Sequence, residues 1–323
     1  MNDDQAALLY GRDLFGAPIR PTTGGPLAAR FEFPPFSVLS ARDGDWQERK
    51  RAWLAMGIQS EVGRDAKVFS IGDKATYDGL EVNTSSSVNA MAYAGGFVAT
   101  SAGVAGISVF DPTLTELCCR WFCPEGGQIV DPFAGGSVRG IVAGVLGYRY
   151  HGIDLRPEQV AANEEQKSAI VPDADVRWAC GDSMELLAEA PAADFIFSCP
   201  PYGDLERYSD DPLDLSTMEY HTFIAAYKRI ILRCNRVLKQ DRFACFVVGE
   251  FRDKRRGVYR GFVADTVKAF QEVGLELYND AVLVTSIGSL PIRVSAQFDG
   301  SRKLGKAHQN VLVFVKGRPP VFA

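Results

Sequence analysis

From about residue 106 the chain alternates between short continuous apolar runs and longer segments in which apolar residues recur every three or four positions. Runs of the first kind suit strands buried on both faces, and segments of the second kind suit the helices that cover them. Asp111 to Cys123 reads as a helix opened by Asp111-Pro112, with Leu114, Leu117, Cys118 and Trp121 at helical spacing. Gln128 to Val130 then reads as a strand, Val138 to Leu146 as a helix, Tyr148 to Ile153 as a strand and Pro157 to Ser168 as a helix. Val176 to Ala179 and Ala193 to Ser198 are further strands, with a short helix from Met184 to Ala190 between them. His221 to Val237 is a helix, Arg242 to Val248 a strand and Val263 to Val273 a helix. The last strands, Leu275 to Thr285 and Asn310 to Lys316, are joined by a stretch that reads as a loop, which fits an antiparallel strand near the C-terminal end of the sheet. The alternation predicts an α/β fold with a mainly parallel, doubly wound sheet whose ligands sit at the carboxyl ends of the strands.

Residues 1 to about 105 lack this rhythm and are expected to form an irregular N-terminal accessory region in front of a catalytic domain at 106–323. The region has a Gly/Pro-rich stretch from Pro18 to Pro35, a polar small-residue stretch from Asn83 to Asn89, and a basic helix from Gly44 to Gly57. That helix carries Trp46, Arg49, Lys50, Arg51 and Trp53. Two tryptophans beside three cations suit base stacking and phosphate contact. The competing reading makes the tryptophans core and the cations solvated.

Composition changes this picture little. The chain has 323 residues, 46% of them hydrophobic and 23% charged, enough for one large domain or for a catalytic domain with an appendage. No apolar run is long enough for a membrane span. The opening Met1-Asn2-Asp3-Asp4-Gln5 lacks the basic-then-apolar order of a signal peptide, so a cytoplasmic location is expected. Seven cysteines, an odd number scattered through apolar segments, do not form a disulfide framework. Cys119 and Cys123 have no neighbouring pair or histidine and read as small buried hydrophobes, so no metal is expected. The net charge of −5 does not decide on a nucleic-acid partner, because local patches make such contacts. Basic clusters stand at Arg49-Lys50-Arg51, at Lys254-Arg255-Arg256, and at Arg302-Lys303 with Lys306.

The candidate chemistry lies at the strand ends. Asp131-Pro132-Phe133-Ala134-Gly135-Gly136 follows one strand and opens a helix, so its glycines let backbone approach a ligand beside free helix N–H groups. The spacing is neither that of a dinucleotide fingerprint nor that of a P-loop. Asp154 ends the next strand, where a carboxylate can accept from ribose hydroxyls or serve as a helix-start residue. Asp182 ends the third, placed either to accept from an adenine amino group or to cap the following helix. Ser198-Cys199-Pro200-Pro201-Tyr202 ends the fourth: two prolines stiffen the loop and Tyr202 offers a flat face for a base rotated out of a duplex.

The two segments Asp131 to Gly136 and Cys199 to Tyr202, on successive strands of one sheet, resemble the DNA amino-methyltransferases that modify adenine N6 or cytosine N4. Ser108-Val109-Phe110-Asp111-Pro112 resembles their segment that closes over the methionine end of S-adenosylmethionine (AdoMet), and His308 to Phe314 resembles their last strand. Over roughly residues 36 to 317 the chain looks like phage and prophage DNA modification methylases, a likeness that takes in Trp46 to Arg51 and Val248 to Asp253. The resemblance implies a Rossmann-like class I methyltransferase fold and AdoMet as cofactor. It also implies DNA as partner and a bacterial or phage-infected cell as setting. AdoMet would be held by Phe110, Asp131, Pro132, Phe133, Gly135, Gly136, Asp154, Asp182 and Ser198.

One departure matters. The family places Asp, Asn or Ser before Pro-Pro-Tyr, to accept from the target amino group; here the residue is Cys199, and a thiol accepts weakly. A cysteine there suits cytosine C5 chemistry instead, in which a thiolate adds to C6 and makes C5 nucleophilic. Cys199 is then the nucleophile, Glu250 the acid or base, and Arg252 helps to hold the base, with Pro200, Pro201 and Tyr202 shaping the pocket. The alternatives are amino methylation with Cys199 standing in for Ser, an RNA base methyltransferase, and an inactive AdoMet- or DNA-binding protein. DNA contact is expected from residues 1–105 and the loops Gly203 to Glu219 and Gly288 to Ala307. Candidates are Trp46, Arg49, Lys50, Arg51, Arg207, Tyr208, Arg293, Arg302 and Lys303. The recognition sequence is not legible, nor is the choice between monomer and homodimer.

Overall fold

A computed structural model of the chain describes residues 3–12, 16–19, 25–59, 76–77, 80–81, 110–203, 209–288 and 290–321. The expected boundary near 105, the stretch Asn83 to Asn89, and the candidates Arg207 and Tyr208 lie outside the described residues.

Short runs become strands and periodic runs become helices, largely where the pattern places them. The strands are β1 (Val38–Ser40), β2 (Thr76–Tyr77), β3 (Leu80–Glu81), β4 (Gln128–Asp131) and β5 (Arg149–Asp154), then β6 (Val176–Cys180), β7 (Ala193–Ser198), β8 (Leu238–Val248), β9 (Glu276–Val284) and β10 (His308–Lys316). β2 and β3 pair only with each other; the other eight form one sheet in the order β1-β9-β10-β8-β7-β4-β5-β6. All neighbours run parallel except β10, which is antiparallel to both β8 and β9. Every residue of β4 and β7 is buried, as the continuous apolar runs require of central parallel strands. Strand order reverses between β4 and β7, and there the connections leave in opposite directions and open a crevice at the carboxyl ends.

The helices are α1 (Asp3–Tyr10), α2 (Pro26–Phe31), α3 (Gly44–Ala55), α4 (Pro112–Phe122), α5 (Val138–Val145), α6 (Pro157–Ile170), α7 (Ser183–Leu186), α8 (Tyr220–Val237), α9 (Phe262–Glu272) and α10 (Leu290–Ser301). α10 corrects the expectation of a loop between the last two strands. Its apolar residues form no buried stripe: Ile292 is 64% exposed and Phe298 40%, so the helical period that burial imposes is missing from the sequence.

The basic helix α3 is where expectation and structure part. Trp46, Arg49, Lys50 and Trp53 fall at i, i+3, i+4 and i+7, which is one helical face. That face is turned onto α4, not toward solvent. Trp46 Nε1 (3.3 Å) and Lys50 Nζ (3.1 Å) donate to Asp111, whose carboxylate also caps α4 through the N–H groups of Thr113 and Leu114. Arg49 Nε (2.7 Å) and Trp53 Nε1 (2.9 Å) donate to Glu116, which is fully buried. Trp46 and Arg49, expected at DNA, are therefore core residues, 1% and 2% exposed. Arg51 points outward from the same helix. β1 extends the sheet beside β9, and residues of α1, β1 and α3 join the same hydrophobic core as β4 and β7.

Burial alone would raise the Glu116 pKa; the Arg49 hydrogen bond and charge outweigh it and hold the carboxyl below its ordinary 4.5. A depressed carboxyl pKa stabilises the fold above the unfolded value, and that stabilisation is lost as pH falls through the folded value. Removing the Glu116 charge leaves the buried Arg49 guanidinium with Glu32 alone, at 3.1 Å. Glu116→Gln is therefore expected to cost about 3–5 kcal/mol in urea unfolding at pH 7. The variant should lose less stability than the parent when the pH is lowered from 5 toward 3. A loss below about 1 kcal/mol would mean that α3 is not held by this pair.

Candidate active site

A cavity of about 700 Å³ opens at the carboxyl ends of β4 to β8, at the crevice the strand order creates. The glycine turn forms its floor. Gly135 takes φ +52, a left-handed backbone that favours glycine. The turn is clamped from both sides: Gly135 N donates to Asp154 Oδ2 (2.9 Å), and Asn163 Nδ2 on α6 donates to the Gly135 carbonyl (2.7 Å). Asp154 Oδ1 also accepts from Arg156 N (3.0 Å). Asp182 caps α7 through Met184 N (2.8 Å) while its residue still lines the cavity, so the cap reading holds without excluding a ligand. Phe110, Pro132, Phe133, Gly135, Gly136, Asp154 and Asp182 all stand on the wall.

Asp131 and Ser198 do not. Both are buried behind the wall, and the reason is electrostatic: a carboxylate without solvent needs donors on every side. Asp131 Oδ1 accepts from Phe133 N (3.1 Å) and Ser198 Oγ (2.5 Å); Oδ2 accepts from Arg139 Nε (2.6 Å) and Tyr150 Oη (2.8 Å). Their hydrogen bonds shape the turn, and neither residue is on the cavity wall. Arg139, which the motif reading passed over, does line it. Its guanidinium lies 4.5 Å from the Phe110 ring centroid, and Phe110 packs edge-on against Phe197.

The Pro-Pro-Tyr loop forms the opposite wall. Cys199, Pro200, Pro201 and Tyr202 all face the cavity. Cys199 Sγ is 3.7 Å from Tyr202 Oη, and Tyr202 Oη accepts from Gln309 Nε2 at 2.9 Å. The Arg139 cation is near enough for Cys199 to interact with it electrostatically.

Glu250 lines the cavity but is not placed as a free acid. Its Oε2 accepts from Gly261 N (3.1 Å) and its Oε1 from Val263 N (2.8 Å), so the carboxylate caps α9. Arg252 is a second correction: Nη1 donates to the Gly257 carbonyl (2.8 Å) and the guanidinium lies 4.0 Å over the Tyr259 ring. It staples its own loop and is not on the cavity wall. The cation that does face this end is Lys306, which the basic cluster named without a role. Its Nζ lies 3.7 Å from where a Cβ on Gly249 would sit, beside the Tyr202 ring. Burial pushes its pKa below the ordinary lysine value, against the opposing charge of Glu250.

Lys303 Nζ lies 3.3 Å from the corresponding point on Gly257, so the loops carrying Lys254-Arg255-Arg256 and Arg302-Lys303 meet beside this mouth. Lys254, Arg255, Arg256 and Arg302 are exposed there. Lys50, expected at DNA, instead reaches Asp111 on the cavity wall. Arg293 lies on α10, and its side chain falls outside the description.

Read from β4 as first, the seven strands after residue 110 run 3-2-1-4-5-7-6 with the seventh antiparallel, which defines the Rossmann-like class I methyltransferase fold. Solved structures similar to the chain include TrmN from Thermus thermophilus (15% identity over 64% of this chain and 48% of that one, TM-score 0.42). Another is precorrin-6y C5,15-methyltransferase from Geobacter metallireducens (14%, 67% and 93%, 0.43). A third, also from Thermus thermophilus, is an inferred DNA modification methylase (17%, 44% and 52%, 0.32). The chain thus matches less than half the length of TrmN. No family pattern and no curated protein matches the sequence. Likenesses this remote assign no substrate. Among the described residues, no helix is long and apolar enough to cross a membrane.

Glu250→Ala should remove the α9 cap and lower stability by about 1 kcal/mol. Glu250→Gln, which keeps one acceptor oxygen, should lose about half of that. Equal stability of all three proteins in thermal unfolding would show that the carboxylate is not serving as a cap.

Proposed function

We propose that the chain is an AdoMet-dependent DNA methyltransferase acting on a cytosine turned out of the duplex, with C5 as the methylated atom and Cys199 as the nucleophile. The observation that carries this reading is that Cys199 and the glycine turn at Gly135 and Gly136 wall one cavity, which the buried Arg139 also lines. The cavity fits the cofactor. Carboxylates at Asp154 and Asp182 suit its hydroxyl and amino donors, the bare turn admits its body, and Arg139 stands where an anion would be met. AdoMet, when bound, supplies the methyl group on a sulfonium.

The chain's own residues supply the rest. Pro200 and Pro201 fix the loop, and the Tyr202 ring stacks on the base. Cys199 Sγ adds to C6. Electron density then moves toward the N3 and O2 edge, where the Lys306 ammonium stands in the role first expected of Glu250. After transfer to C5, a base takes the C5 proton and the sulfur leaves C6. Glu250, its two oxygens held by backbone N–H groups, accepts from the base's amino group. The rim formed by Lys254-Arg255-Arg256 with Arg302-Lys303, together with Arg51, offers a polyanion its phosphate contacts.

The capping of Glu250 favours one second reading. Amino methylation at cytosine N4 or adenine N6 needs no acid at N3, and there Cys199 replaces the usual Asp, Asn or Ser. Nucleoside mass spectrometry of DNA from expressing cells separates the two. 5-Methylcytosine is expected, with activity below about 10⁻³ of the parent for both Cys199→Ala and Cys199→Ser. N4-methylcytosine or N6-methyladenine, with Cys199→Ser active, overturns the C5 mechanism. A modified base confined to RNA moves the substrate to RNA.

A further inference from the structure

Two exposed rings stand on the rim of the cavity, each with an arginine against it. The first is on a small hairpin that follows β8. Arg252 and Tyr259 are its antiparallel partners, and on either side of them Arg260 N donates to the Phe251 carbonyl (3.0 Å) and Asp253 N to the Val258 carbonyl (2.9 Å). Partners so placed share one face of the hairpin, and the Arg252 guanidinium lies 4.0 Å over the Tyr259 ring while the Gly257 carbonyl holds its Nη1. The second ring is on α10, where the Arg302 guanidinium lies 5.2 Å from the Phe298 centroid. Tyr259 is 46% exposed and Phe298 40%. Lys303 links the two places, because its Nζ stands against Gly257 in the hairpin. Both ends of α10 lead to the cavity: Thr285 and Ser286 before it and Lys306 after it are on the wall.

Neither ring is used in the core. No described residue of α10 is buried, so packing does not explain why its apolar residues are there. The charge beside the rings is positive. Lys254-Arg255-Arg256 forms the hairpin's tip, and Arg302-Lys303 follows Phe298 by one helical turn. Of the acids there, Asp253 is engaged by Arg260 (2.9 Å) and by the N–H groups of Arg255 and Arg256. Asp299 lies 3.9 Å from Arg302, and both are so exposed that water screens the pair. A polyanion answers the cations, but phosphates make no use of the rings. A base face does: it stacks on an aromatic ring whatever the sequence, and an arginine at the ring adds to the attraction. In a paired duplex the base faces cover one another, and freeing one costs unstacking. We propose that this rim binds DNA whose bases beside the target are unpaired, with Tyr259 and Phe298 each taking a base face. The protein then prefers a single strand or an opened duplex to a fully paired one. The inference rests on the DNA reading above and does not depend on which base atom is methylated.

The test is fluorescence anisotropy of the full chain with one labelled oligonucleotide, presented as a single strand, as a paired duplex, and as a duplex with an unpaired bubble around one cytosine. Each form is titrated at low and at raised salt. Strand and bubble should bind about tenfold or more tighter than the paired duplex. Tyr259→Ala and Phe298→Ala should each weaken strand binding about fivefold or more, with duplex binding and the salt dependence kept. Tyr259→Trp and Phe298→Trp, which keep a flat face, should retain strand binding. Arg255→Ala should instead weaken strand and duplex alike and flatten the salt dependence. A duplex bound as tightly as the strand overturns the inference, as does strand binding that survives intact in both folded alanine variants. Self-association of the chain that Phe298→Ala abolishes gives the rim to a second copy and overturns it too. Should an alanine variant fail to fold, the parent's strand-to-duplex ratio and the tryptophan variants decide. The absence of salt-sensitive binding to all three forms refutes the DNA reading itself, a result distinct from loss of strand preference.

Discussion

A single buried carboxylate organises the centre of this protein. Asp131 ends β4 with no exposure to solvent, and a charge there persists only if donors surround it. It takes one from the turn that follows it, one from β7 at Ser198, one from β5 at Tyr150 and one from α5 at Arg139. Two strand ends, the start of β5 and a helix start are thereby tied to one carboxylate. The glycine turn inherits its shape from that arrangement, because Arg139 also holds its carbonyls.

A second constraint sits next to the first. α4 begins at Asp111, beside Phe110, and α3 latches onto it through Trp46, Lys50, Arg49 and Trp53. The buried Glu116 with Arg49 is costly to desolvate and is tolerated because each oxygen is hydrogen-bonded. The consequence for the site is positional. The latch places Phe110 over Arg139 and puts Lys50 on the cavity wall, so a helix that looks like a nucleic-acid element builds one side of the pocket.

The cavity that results has three chemically distinct sides. Acids gather by β5 and β6, cations by Phe110, and a thiol with a phenol at the Pro-Pro-Tyr loop. Each side suits a different part of a nucleoside sulfonium and of the base that would meet it. Glu250 shows how a helix cap and a pocket wall can share one side chain: Val263 N and Gly261 N take its two oxygens while it still faces the cavity.

Sequence alone determined the order of strands and helices from Asp111 to the last strand, apart from α10, together with the strand-end segments and the glycine turn singled out for chemistry. These are local matters: hydrophobic period, turn residues and the carboxyl-end rule act within a few residues of each other. The face spacing of Trp46, Arg49, Lys50 and Trp53 was also present in the sequence, and it distinguishes a packed helix from a solvated one. Only the tertiary structure decided where long-range partners lie. It turned Asp131 and Ser198 inward, gave Glu250 to a helix thirteen residues away, brought Lys306 to the site in place of Arg252, and revealed α10, whose exposed apolar residues carry no burial period. The physical reason is the same in each case. The partner of a polar side chain is chosen by the cost of leaving it unpaired in a packed interior, and that cost is set by neighbours far away in the chain.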